Sequence, residues 1–91
     1  MDNVIVSRHV GAVEWLRQRG ITGRVIEHAT AEDVRGRVVY GTLPLHLAAE
    51  AARVVAIDLP RLRPEQRGKD LSPAEMDAAG ARLIAYKVLL L

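Results

Sequence analysis

Arg53-Val54-Val55-Ala56-Ile57-Asp58 is the stretch that decides the fold. Its four apolar residues follow one another without alternation, so a strand made of them must be covered on both faces. That is the setting of a parallel sheet flanked by helices. Toward the N-terminus, Arg37-Val38-Val39-Tyr40-Gly41 reads as another strand. Between the two, Pro44 sits where a first helical residue is tolerated, and Leu45 to Ala52 read as a short buried helix. Further out, Asn3-Val4-Ile5-Val6 is a β-branched strand ending at Ser7. From His9 or Val10 a helical pattern takes over, with Ala12, Val13 and Leu16 on one side and Glu14, Arg17 and Gln18 on the other, closed by Gly20. Gly23 to Glu27 reads as a strand, and Thr30-Ala31-Glu32-Asp33 has the pattern of a capping box. The order predicts an α/β domain with a mainly parallel central sheet of four or five strands and helices on both faces.

On the C-terminal side, Leu59 to Leu71 contains Pro60, Pro64, Gly68 and several charges without a period, and reads as a long surface loop. Ser72-Pro73-Ala74-Glu75 is a strong helix start. Met76, Ala79, Leu83 and Tyr86 keep near-helical spacing, which predicts a helix to about Tyr86. The tail Val88-Leu89-Leu90-Leu91 is apolar, and its sequence fits a docked strand, an interface patch or a disordered end equally.

With 91 residues, 49% of them apolar, residues 1–91 have room for one domain around one modest core. The absence of cysteine excludes a disulfide framework, a thiolate metal site and a Cys nucleophile. Apolar runs stay far below the roughly 20 residues that span a bilayer. Asp2 and Asn3 stand where a signal peptide has its basic start. A soluble cytoplasmic protein without a membrane partner is expected. The net charge is +2, with basic residues scattered among acids, so duplex DNA is not an expected partner. Arginine nonetheless outnumbers lysine, which is only Lys69 and Lys87, and its planar fork suits phosphate or carboxylate. High-GC coding produces the same bias. Aromatic residues, at 3%, are too few for a single-strand binder built on stacking.

Ligands of open α/β sheets bind beyond the carboxyl ends of the strands. Two segments hold that position. Ser7-Arg8-His9-Val10-Gly11-Ala12 follows the first strand and supplies a hydroxyl, a guanidinium, an imidazole and a glycine at a helix start. Those are parts for holding and attacking a phosphodiester. The same side chains also suit a plain helix cap and a solvated loop, and spacing alone favours that plainer role. Tyr40-Gly41-Thr42-Leu43-Pro44-Leu45-His46 is the second segment, where His46 reads first as a boundary histidine on an apolar helix. Neither phosphate-binding glycine fingerprint is present, and His9, His28 and His46 are too dispersed for a metal pair. No metal or other cofactor is expected. Asp58 ends a strand at the ligand edge, though strand-end Asp often only caps a turn. Trp15, at the edge of the first helix's apolar face, reads as core rather than as a base-stacking platform.

Val4-Ile5-Val6-Ser7-Arg8-His9 with Gly11-Ala12, then Glu14-Trp15-Leu16 and Gly20-Ile21, resembles the opening of a small Csx accessory family of type III CRISPR systems. His28-Ala29-Thr30, Asp33-Val34-Arg35-Gly36, Val39 to Pro44, Ile57-Asp58-Leu59-Pro60 and Leu71 to Met76 continue the resemblance in order, over nearly the whole chain. It implies a Rossmann-like domain related to the CARF domains that sense cyclic oligoadenylates. It also implies a homodimeric ring nuclease that opens cyclic tetra-adenylate by 2'-hydroxyl attack, without metal, and so ends type III antiviral signalling. By the residue-level match Ser7, Arg8, His9 and Gly11 form the ligand loop, with Gly41, Thr42 and His46 opposite. Arg8 and His9 are the expected catalytic pair. Two alternatives belong to other classes: a sensor that binds the ring and releases it intact, and a dimerisation domain without nucleotide affinity.

Overall fold

In a computed structural model, residues 3–91 are described, so Asp2 of the signal-peptide reading lies outside them. The elements are β1 (Asn3–Val6), α1 (Val10–Gln18), β2 (Arg24–Ile26), α2 (Ala31–Val34), β3 (Val38–Gly41), α3 (Leu45–Ala48), β4 (Arg53–Asp58), a 3-10 turn (Pro64–Gln66), α4 (Pro73–Ala78) and β5 (Arg82–Tyr86). They build one five-stranded sheet in the order β2-β1-β3-β4-β5. The first four strands run parallel and β5 lies antiparallel against β4. The expected Rossmann-like α/β architecture is what forms.

Alternation along β1 divides the core. Val4 packs with Val34, Val39, Ala48, Ala51 and Val54 under α2 and α3. Ile5, one residue on, packs with Trp15, Leu16 and Met76 under α1 and α4. Helices therefore cover both faces, as the unbroken apolar run of β4 requires. Trp15 is fully buried, in keeping with the core reading. Its indole N–H donates to Asp77 Oδ1 at 2.8 Å, and the Arg19 guanidinium lies 3.7 Å above its ring. Arg19 also pairs with Asp77 at 3.1 Å, so one carboxylate ties α1 to α4. These bonds hold the Asp77 carboxyl below its ordinary range, the indole donor first and Arg19 after it.

The helix expected to reach Tyr86 stops at Ala78. Gly80 adopts a φ of 79°, a left-handed turn that ends the helix, and Ala81 N–H returns to the Met76 carbonyl. Leu83 and Tyr86 kept helical spacing in sequence, yet the open edge of β4 offers this segment a ladder of backbone partners, with Ala56 opposite Ile84. Arg82 Nε closes the start of β5 on Asp58 Oδ2 at 2.8 Å. The helix expected over residues 45–52 is likewise shorter, because Ala52 N–H turns to the Arg37 carbonyl at 2.9 Å. Of the tail, Val88 packs against the Val4 cluster, while Leu89, Leu90 and Leu91 are exposed.

Candidate functional site

In a 2-1-3-4-5 order the connections from β1 and β3 leave for opposite faces, and a crevice opens between the carboxyl ends of those two strands. Here it is a half-open cavity of about 420 Å³. Ser7, Arg8 and His9 line it from the end of β1, and Tyr40, Gly41 and Thr42 from the end of β3. Its floor is Ile5, Leu16 and Ile57. Gly41 lies opposite Val6 with a φ of 131°. A methyl group there would overlap the Val6 carbonyl oxygen, so glycine is what lets the two strand ends close up at this point.

The loop after β1 is set by backbone bonds. Ser7 N–H extends the β2 pairing to the Ile26 carbonyl at 3.1 Å, and Ser7 Oγ accepts the His9 N–H at 3.0 Å. His9 stands at the N-cap of α1 in extended conformation, and no side chain caps the helix. The His9 side chain makes no cap bond, and the hydroxyl of Ser7 serves the turn that leads into the helix. The first-turn amides of α1 remain free beside the cavity, with Ala12 in its wall. Arg17, Arg19, Arg24, Arg35, Arg63 and Arg82 are each ion-paired; Arg8, like Arg37, Arg53, Arg61 and Arg67, has no such partner among the described residues, and of these five Arg8 alone lines the cavity. It keeps an unneutralised guanidinium at the mouth.

Of the expected residues, Ser7, Arg8, His9, Gly41 and Thr42 converge on the cavity. His46 is exposed on the short α3, outside that lining. Gly11 does not line it either. Its Cα faces the Leu71 backbone, and an added methyl would overlap the Leu71 carbonyl oxygen and lie 2.9 Å from its carbon. Asp58 is engaged by Arg82, apart from the cavity.

Three groups escaped the sequence reading. Glu27 and His28 enter the wall because β2 runs parallel beside β1 and ends at the same edge. A strand ending at Glu27 was legible, but its place next to β1 was not. Among the described residues, Glu27 is the only carboxylate in the lining. Asp70, 61 residues from His9, brings its Oδ1 onto His9 Nδ1. Nothing in the loop sequence signals that contact. A second cavity of about 210 Å³, walled by Leu59, Leu62, Leu71 and Met76, shares His9 and Ala12 with the first. Among the described residues no three His, Cys, Asp or Glu side chains are grouped to hold a metal ion, and no helix is long and apolar enough to cross a membrane.

The site therefore combines the Arg8 guanidinium, two imidazoles, three hydroxyls and one carboxylate beside the uncapped start of α1, and its cation, imidazoles and donors suit a phosphate-bearing ligand. A family model described as "Putative CRISPR-associated protein (Cas_VVA1548)" matches residues 4–89. No curated protein and no solved structure matches the chain. Because the matched span runs from β1 past β5, taking in every strand that builds the crevice, the chain belongs to this family of CRISPR-associated proteins.

Proposed function

We propose that the protein is a ring nuclease that binds cyclic tetra-adenylate and opens it by metal-independent attack of a ribose 2'-hydroxyl on the adjacent phosphate. The observation that carries this reading is the convergence of Ser7, Arg8 and His9, next to the uncapped start of α1, at the β1/β3 crevice, where Arg8 has no ion-pair partner among the described residues. Membership of a CRISPR-associated family supports it, as does the resemblance to the Csx accessory proteins.

The chemistry is a transesterification. The 2'-oxygen forms a bond to phosphorus as its proton passes to His9. The bond from phosphorus to the 5'-oxygen breaks, and that oxygen takes up a proton, leaving a linear product with a 2',3'-cyclic phosphate. No water is consumed. Charge grows on the non-bridging oxygens as the 2'-oxygen attacks, so the Arg8 guanidinium and the helix amides help most in the transition state. Ser7, Thr42 and the close backbone at Gly41 hold the ring, and His28 and Glu27 stand on its far side.

One such crevice is too small to enclose four nucleotides. Two copies facing across the two-fold axis of the ring supply the missing wall, which is the homodimer of the resemblance. Val10 and Leu45, exposed apolar residues that begin α1 and α3, stand at this same edge and support that arrangement.

The test is single-turnover incubation with cyclic oligoadenylates of several sizes in excess chelator. Linear products from the tetra-adenylate are expected from the wild type. Arg8→Ala should lose both binding and turnover, and His9→Ala mainly turnover, by about 10²–10⁴-fold. Rings bound and released intact would identify a sensor instead. Full activity in both variants moves the site, and loss confined to His46→Ala moves it to the loop after β3.

A further inference from the structure

The contact between His9 and Asp70 is not required by the fold around either side chain, since both are more than half exposed, at 56% and 71%. An ion pair so open to water adds little stability. What it can do is choose a tautomer. A carboxylate only accepts, so the imidazole nitrogen that meets it must carry the proton. Asp70 Oδ1 meets Nδ1, and Nε2 has no hydrogen-bond partner among the described residues. We propose that Asp70 is a positioning residue, which fixes the tautomer of the His9 imidazole with the proton on Nδ1 and leaves the Nε2 lone pair free for the cavity. This rests on the nuclease reading for its catalytic consequence, though not for the tautomer itself.

The backbone on either side shows why the two groups meet. His9 is the N-cap of α1, and Gly11 two residues on lies flush against the Leu71 backbone. Leu71 packs into the cluster of Trp15, Leu16 and Met76. Ser72 then caps α4, its Oγ accepting the Glu75 N–H at 3.2 Å while Glu75 accepts the Ser72 N–H at 2.9 Å. Asp70 is thus held from its C-terminal side by residues anchored in the core and in a helix cap. The missing side chain of Gly11 brings that anchor to the start of α1. An unattached histidine in water carries its proton mainly on Nε2, so the carboxylate reverses the resting preference. In the reaction proposed above, the reversal places a bare nitrogen where the 2'-hydroxyl proton must go.

A negative charge beside an anionic ring opposes binding, which separates this role from a binding or merely structural one. Asp70→Ala should bind cyclic tetra-adenylate as well as the wild type or better, yet cleave it about 10-fold more slowly, a fraction of what a positioned base supplies. Asp70→Glu should recover part of the rate. Nitrogen-15 spectra of histidine-labelled protein, at a pH where the ring is neutral and with His9→Gln for assignment, read the tautomer directly. The wild type should show His9 protonated on Nδ1, and Asp70→Ala should move the proton to Nε2. A wild-type His9 protonated on Nε2 overturns the proposal, and so does Asp70→Ala cleaving at the wild-type rate. If the wild type cleaves no ring while His9 keeps its proton on Nδ1, the nuclease reading falls and the positioning by Asp70 stands.

Discussion

Replacing Gly11 by alanine sets two effects against each other, and the structure says which wins. Gly11 is the second residue of α1, where alanine has the better helix propensity by at most about 1 kcal/mol, and by less in a first turn. Against this, the new methyl overlaps the Leu71 carbonyl oxygen and sits 2.9 Å from its carbon, a separation that real side-chain carbons do not reach. The obstacle is backbone and cannot rotate away. Relief requires α1 to lift or the Leu71–Ser72 segment to move out. Either motion loosens the packing of Leu71 beside Trp15, Leu16 and Met76. Overpacking of this kind costs about 1–3 kcal/mol, and a partner fixed by the Ser72 cap places it at the upper end. The net expectation is a loss of about 2 kcal/mol. For a domain of this size that lowers the melting temperature by about 10 °C. Thermal and urea unfolding followed by circular dichroism measure it, with a lower urea midpoint at unchanged slope. A melting temperature equal to or above the wild type would refute the reasoning, because propensity would then have won and the close approach of α1 to Leu71 would be absent.

Trp15→Phe keeps most of the buried volume but removes the donor to Asp77 and weakens the stacking of Arg19, so chemical denaturation should show a loss of about 1–2 kcal/mol. The Asp77 carboxyl is held below its ordinary 3.8 by the Trp15 indole donor and by Arg19, so its contribution is complete above that value and fades as pH falls through the lowered one. Urea midpoints of wild type and Asp77→Asn should therefore differ near neutrality and converge as the pH is taken down through the lowered range; a gap that persists in strong acid would assign the effect to something other than the charge. In nuclear magnetic resonance spectra, cross-strand contacts between Val55 and Ala85 and between Ile57 and Leu83 should mark β5, whereas a helix over those residues would replace them with contacts three and four residues apart.

Local chemistry is what the sequence determined by itself. The unbroken apolar run of β4 requires cover on both faces, and only a sheet flanked by helices provides it. The Thr30 and Ser72 caps formed as written, because a capping box depends on residues three apart and on nothing distant. The ends of β1 and β3 were legible as a ligand edge for the same reason: a strand followed by a glycine-bearing loop and a helix start is a local pattern, and Ser7, Arg8, His9, Gly41 and Thr42 meet there. Tertiary structure decided the rest. Whether residues 82–86 continue a helix or join a sheet depends on an open edge of β4, which no neighbour in sequence reveals. Glu27 and His28 reach the site only through the order of strands, and Asp70 reaches His9 only because α1 and the Leu71 backbone approach more closely than any side chain at Gly11 would allow. Local hydrogen bonds and periodicity are encoded within a few residues, but the distances that place one charged group beside another are set by which backbones come to lie side by side.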